Sequence, residues 1–330
     1  MENVLEKRPF DFEVAKTQSD DELFYFIQSD TISSEKITAP RYSYWKSVFR
    51  NFFKKKTNWI LLGLLLFIFV MSYIFPIFFP YNEMENIIRP STFNLSPAEA
   101  IKEFGFSFKW ILGTGPTGNS IFYGIWAGAR TSISLSFLCA IINMTIGVLV
   151  GAVWGYNKTL DVILNVVYNI IADIPYILLI SVLVYVIGSG FFPFVFALTI
   201  TGWLGIAYFF RTQVIIIRDR DYNLASRCLG TPIPRVVLHN ILPFLTSVIM
   251  TILATELPGY ISYEVFLSYI GVGLSANEAS LGRMIENAQT AFTTFPWEFW
   301  SPVAVASALT VVLYVLGQNL ADVSDPRTHM

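Results

Sequence analysis

Apolar residues run almost unbroken from Trp59 to Phe79, and five more stretches of like character follow: Ser132 to Tyr156, Ile163 to Ile187, Phe194 to Ile217, Leu245 to Ile270 and Pro302 to Leu320. An α-helix rises about 1.5 Å per residue, so about 20 apolar residues cross the roughly 30 Å of hydrocarbon in a bilayer. The pattern predicts an all-α membrane protein with six transmembrane helices. Its first stretch begins too far from the N-terminus, and is too long, to be a cleaved leader.

Lysine and arginine gather beside the cytoplasmic ends of membrane helices. Arg41, Lys46, Arg50, Lys54, Lys55 and Lys56 precede the first span, and Arg218, Arg220, Arg227 and Arg235 occupy the loop between the fourth and fifth. Glutamates weight the segment after the first span (Glu83, Glu85, Glu99, Glu103) and the loop between the fifth and sixth (Glu278, Glu286, Glu298). One topology satisfies every loop, with the N- and C-termini both cytoplasmic. Residues 1–57 are then a cytoplasmic tail with a basic juxtamembrane end, and 58–80 the first transmembrane helix. An extracellular cap rich in turn formers such as Pro97, Gly105, Gly113 and Gly118 covers 81–128. A five-helix core spans 129–321 and contains the loop 218–243, leaving 322–330 as a short cytoplasmic tail. The acidic stretch 1–40 reads either as a flexible tether or, through Phe24, Tyr25 and Phe26, as a docking element for a cytoplasmic partner.

Composition agrees with a lipid-facing surface: 54% of residues are hydrophobic and only 14% charged, against about 25% charged in soluble proteins. A net charge of −2 offers no field to nucleic acid. Cys139 lies in an apolar run and Cys228 in a charged loop, and the only histidines are His239 and His329, so neither a disulfide framework nor a metal site is expected. Gly-x-x-x-x-Gly-Lys-Ser/Thr, Gly-x-Ser-x-Gly and His-Glu-x-x-His are all missing from the sequence. The expectation is a protein that is not an enzyme and binds no cofactor itself.

Ionisable groups at bilayer depth cost about 2.5–3.5 kcal/mol each and turn towards protein or water. Asp173 sits before Ile174 and Pro175 in the third span, and Glu256 and Glu264 lie in the fifth, eight positions apart, which suggests one face. Between them Pro258 and Gly259 interrupt the helical ladder and permit a kink. These carboxylates are either structural or part of a solute path or its gate, with Asn169 a further candidate for that path. Gly147, Gly151 and Gly155 recur every four residues and form a smooth ridge for helix packing.

In the loop between the fourth and fifth spans, Asp221 is an expected N-cap and Gly230 an expected stop, with Pro232 preventing continuation. The short helix between them carries Tyr222, Ala225 and Leu229 on one side, and Ala225 and Ser226 are small enough for close approach. So short a helix is not stable alone in water, and a partner below the membrane is the expected receiver of its apolar stripe.

Asp221 to Gly230, followed by Asn240, Ile241, Leu242 and Pro243, resembles the Glu-Ala-Ala coupling loop of binding-protein-dependent ABC importers. Three further stretches resemble the C-type permease subunit of oligopeptide importers: Leu112, Gly113, Thr114 to Arg130; Glu264 to Gly273; and Gly317 to Arg327. The forms it is most similar to come from Gram-positive streptococci and lactic bacteria. Leu224 departs from the family, which usually has a glutamate at that position.

The resemblance implies a type I ABC importer permease fold, multi-pass in the cell membrane of a Gram-positive bacterium. The expected partners are a homologous B-type permease subunit, two cytoplasmic ATPases that carry the ATP and magnesium, and an extracellular peptide-binding lipoprotein. Asp221, Tyr222, Ala225, Ser226, Leu229 and Gly230 would then couple to the ATPases. Dipeptide, signalling-peptide and nickel-chelate import stay open as alternatives, as does a proton-coupled carrier using Asp173, Glu256 or Glu264.

Overall fold

The computed structural model describes residues 44–275 and 278–324. The aromatic cluster Phe24, Tyr25 and Phe26, and the terminal Asp325, Pro326 and Arg327, lie outside the described residues. Among the described residues the chain is helical, with no strand beyond a single isolated bridge between Thr114 and Ser120.

Helix α1 (Tyr44–Lys54) is amphipathic: Val48 and Phe52 are buried, while Trp45, Phe49 and Phe53 are exposed. It leads into the long apolar helix α2 (Lys56–Phe78). Asn58 ties the start of α2 in place, its Nδ2 donating to the carbonyl of Phe52 at 2.8 Å and its Oδ1 accepting from Asn319 Nδ2 at 2.8 Å. Lys55 Nζ donates to Asn319 Oδ1 at 2.9 Å. Asn319 belongs to the last helix, so the beginning of the first span and the end of the last are hydrogen-bonded neighbours.

The segment after α2 contains α3 (Pro97–Phe104), which opens on a capping box. Ser96 Oγ accepts from Glu99 N, and Ser96 N donates back to Glu99 Oε2 at 3.0 Å, holding the Glu99 carboxyl below its ordinary range. Lys109 pairs with Glu85. Asn119 Nδ2 donates to Tyr81 Oη at 2.6 Å, and burial pushes the Tyr81 phenol up to about 12.

Helix α4 (Ile121–Tyr156) is 36 residues long and capped by Ser120, whose Oγ accepts from Tyr123 N. The second span therefore starts eleven positions before Ser132, and the cap ends before 121 instead of at 128. Two glycines in its first turns serve packing: a Cβ on Gly124 would lie 3.0 Å from Met284 Cε, and one on Gly128 2.9 Å from the Ser280 carbonyl carbon.

The expected third span is not straight. It is α5 (Lys158–Ala172) and α6 (Tyr176–Ile187), bent by 79° across Asp173, Ile174 and Pro175. Pro175 disfavours helical geometry at Ile174, which accounts for the break. Helices α7 (Phe191–Thr199) and α8 (Gly202–Arg218) form the next long apolar unit, interrupted at Ile200 and Thr201. Then come the loop helix α9 (Asp221–Cys228), the single turn α10 (Ile233–Val236), and α11 (Thr246–Tyr269), which meets the preceding Ile233–Ile241 segment at 77°. Helix α11 runs through Pro258 and Gly259 as one helix. Pro258 gives the Ala254 carbonyl no N–H, and at that point Gly317 lets its own helix press in: a Cβ there would be 2.7 Å from Ala254 Cα. The described residues end in the short α12 (Leu281–Ala288) and the long α13 (Pro296–Ser324).

Four helical units are long and apolar enough to cross a membrane, or six if each bent pair is one span. Gly147, Gly151 and Gly155 lie against α8. A Cβ at these positions would come within 2.7 Å of Ile206 Cβ, 2.5 Å of the Ala207 carbonyl oxygen and 2.7 Å of the Arg211 carbonyl oxygen, respectively. Both series ascend in number, so α4 and α8 run parallel.

Candidate functional site

A cavity of about 370 Å³ opens where the α5–α6 bend, the start of α8 and the middle of α11 converge. Glu256 lines it with Tyr168, Tyr176, Tyr260 and Tyr263. The tyrosines of α11 follow Glu256 at i+4 and i+7, which brings all three onto one helical stripe. Tyr176 and Tyr263 meet edge to face with centroids 5.3 Å apart. Asn143 of α4 donates through Nδ2 to Tyr260 Oη at 2.6 Å, which fixes the phenol one helical turn from Glu256. Tyr176 Oη donates to the carbonyl of Leu198 at 2.9 Å, which joins α6 to α7.

The residues expected along a solute path separate in space. Asp173 and Asn169 are exposed and do not line this cavity, although their neighbours Tyr168, Ala172 and Ile174 do. Glu264 is fully buried away from it. Ser132 Oγ of α4 donates to Glu264 Oε2 at 2.8 Å and accepts from Leu281 N at 3.2 Å, while Ser268 Oγ donates to Oε1 at 3.2 Å. A Cβ on Gly282 would sit 2.7 Å from Oε1, so glycine there lets the start of α12 close on the carboxylate. The expectation that Glu256 and Glu264 share a face fails: eight residues at about 100° each leave them about 80° apart, enough to aim them at different surroundings.

The loop helix α9 begins at Asp221, but the N-cap position belongs to Arg220, with no side-chain cap bond, which corrects the expected role of Asp221. Gly230 ends it as expected at φ +78°, where Thr231 N donates to the Ser226 carbonyl and Gly230 N to that of Arg227. The back of α9 is fixed by amides. Buried Asn223 donates through Nδ2 to the Ile217 carbonyl at 2.9 Å, and Asn240 Nδ2 donates to Asn223 Oδ1 and to Ser226 Oγ, both at 3.2 Å. Ser226 thus faces its own chain. Tyr222, Leu224, Ala225 and Leu229 face outward, Leu229 with 86% of its surface exposed. Around the same end, Arg227 lies over the Tyr156 ring, Arg218 Nη1 donates to the Gly155 carbonyl at 2.8 Å, and Arg211 pairs with Asp161.

Residues 143–330, which hold both the cavity and α9, match the family described as binding-protein-dependent transport system inner membrane component. The chain belongs to this family. Residues 43–97 match the N-terminal transmembrane domain of oligopeptide transport permease C. This membrane component is 45% identical over 312 residues to the oligopeptide transport system permease protein AmiD of Streptococcus pneumoniae, covering 94% of this chain and 98% of that protein. It is 31% identical to the dipeptide transport system permease protein DppC of Bacillus subtilis, over 94% of each chain. Against the oligopeptide transport system permease protein OppC of the same species it is 31% identical, over 89% of this chain and 93% of that one.

The tyrosines of the cavity and Asn223 carried no expectation from the sequence. The Glu256, Tyr260, Tyr263 stripe was available as a helical spacing. Asn223, a weak helix former in the middle of a short helix, was available as an anomaly.

Proposed function

We propose that the chain is the permease subunit of an ATP-driven oligopeptide importer, forming half of a translocation pathway in the cell membrane. The observation that carries the mechanism is α9: its back is hydrogen-bonded to the protein through Asn223 and Asn240, while its front offers Tyr222, Ala225 and Leu229 to solvent. An apolar front on a rigid mount is what a pushing partner needs. Cytoplasmic ATPases grip this front, a homologous permease subunit completes the pathway, and an extracellular binding protein delivers the peptide. ATP and magnesium stay with the ATPases. Asp221 adds a carboxylate at the first turn of α9, and Gly230 sets where the lever ends. Asp173, Asn169 and Glu256 flank or line the route, whereas Glu264 secures the bundle.

Six crossings with both termini cytoplasmic form the topology of this reading. Support comes from α4 and α8, whose parallel course requires a return crossing between them. The Asn58–Asn319 bond adds that an even number of crossings separates the two ends. Support for the oligopeptide substrate comes from the relatives: the 45% identity to an oligopeptide permease exceeds the 31% identity to a dipeptide permease.

The native thiols provide a test, because Cys228 is exposed on α9 and Cys139 is buried. A membrane-impermeant maleimide should label Cys228 only after intact cells are permeabilised. In the assembled importer Ala225→Arg should remain in the membrane at normal abundance while peptide uptake falls by about ten-fold or more. Labelling of Cys228 from outside, or undiminished uptake by Ala225→Arg, sinks the coupling assignment.

A further inference from the structure

The carboxylate in the cavity has no cation of its own. Among the described residues the ion pairs are Lys109 with Glu85, Arg211 with Asp161 and Arg218 with Asp219, so no basic side chain reaches Glu256. Glu264, the other carboxylate of α11, is surrounded by hydroxyl donors and the start of α12. Glu256 has the tyrosines of the cavity wall beside it and open space in front of it. A carboxylate placed among apolar helices without a counter-charge is costly, and a cation entering from the cavity relieves that cost.

The rest of the wall suits one kind of cation. Tyr176, Tyr260 and Tyr263 present rings around the carboxylate, and aromatic faces attract ammonium groups. The first N–H groups of a helix have no partner within it. Helices α6 and α8 both begin at this wall, after Pro175 and Thr201, and neither start has a side-chain cap bond. Thr201 Oγ1 is buried there without a partner among the described residues. Next to a group that calls for a cation are therefore donors that call for carbonyl oxygens. At about 370 Å³ the space is near the lower end of ligand pockets, roughly 300–1,000 Å³, and holds the end of a peptide instead of its length.

We propose that this cavity receives the free amino terminus of a peptide, with the α-ammonium held by Glu256 and the faces of Tyr176, Tyr260 and Tyr263, and the first carbonyls turned to the starts of α6 and α8. The inference rests on the oligopeptide reading and adds a discriminating site within the membrane component itself.

The test uses the complete importer, with its ATPases and binding protein, in liposomes. Uptake of a lysine-free and arginine-free pentapeptide is measured below saturation with the amino terminus free and with it acetylated. Comparing variants against wild type with one binding protein removes that protein's own preference from the ratio. Glu256→Gln should lower uptake of the free peptide by about ten-fold and leave the acetylated peptide unchanged, while Glu256→Asp retains most of the preference. Tyr263→Leu should weaken the preference and Tyr263→Phe should keep it. An unaltered ratio in both Glu256→Gln and Tyr263→Leu, or equal loss for the two peptides, overturns the inference and leaves the oligopeptide reading standing. Wild-type importer that takes up neither peptide overturns that reading, and the inference with it.

Discussion

Two glutamates on one helix differ in everything but their side chain. Glu264 is enclosed by Ser132, Ser268 and the start of α12, so its oxygens are spent on holding three helices together. Glu256, two turns earlier, faces a cavity walled by tyrosines and has no cation among the described residues. A buried carboxylate whose donors come from several helices is a bolt, and one that faces open space is a contact waiting for a partner. Residue type and depth do not separate these roles; the supply of donors does.

The contrast breaks most visibly if the bolt is drawn. Glu264→Ala strands the hydroxyls of Ser132 and Ser268 and leaves a void, which should cost about 3–5 kcal/mol and show as lost membrane abundance and a lower melting temperature in detergent. Glu256→Ala should keep both near wild type, and equal losses at the two sites would erase the distinction. Removing one strut is the milder form: Ser132→Ala takes a donor from Glu264 and an acceptor from Leu281 N, for about 1–3 kcal/mol by the same melting assay.

An exposed carboxylate gives the lower bound. Glu99 is held below its ordinary range by Ser96, so its support of α3 is complete above the unfolded value and fades as pH falls through the lowered folded one. Limited proteolysis of the 90–110 segment should quicken only in that acid window, and Ser96→Ala should be cleaved faster at neutral pH and respond less to acid.

Much of this architecture was legible in the sequence because hydrocarbon imposes a length on every span. Where backbone geometry decides, legibility fell. The third span was read as continuous through Pro175, and nothing local gave its 79° bend, which depends on how α5 and α6 each find neighbours. The helical start from Ile121 to Thr131 went unread, and the purpose of its glycines, Gly124 against Met284 and Gly128 against Ser280, becomes visible only when α12 is in place. The α9 helix was readable at its Gly230 stop, a backbone requirement, and misread at its start, where Arg220 takes the cap position without any side-chain bond. Ser226 looked like part of the outward face until Asn240, fourteen positions on, supplied its partner.

The glycine seam has a mechanical corollary. With Gly151 pressed against the Ala207 carbonyl, α4 and α8 approach closely along the whole seam and travel as a single beam. Any swing that alternates access is then absorbed at the joints 173–175 and 242–245, so stiffening 242–245, which lies outside both α9 and the cavity wall, should freeze the cycle while sparing the lever and the route.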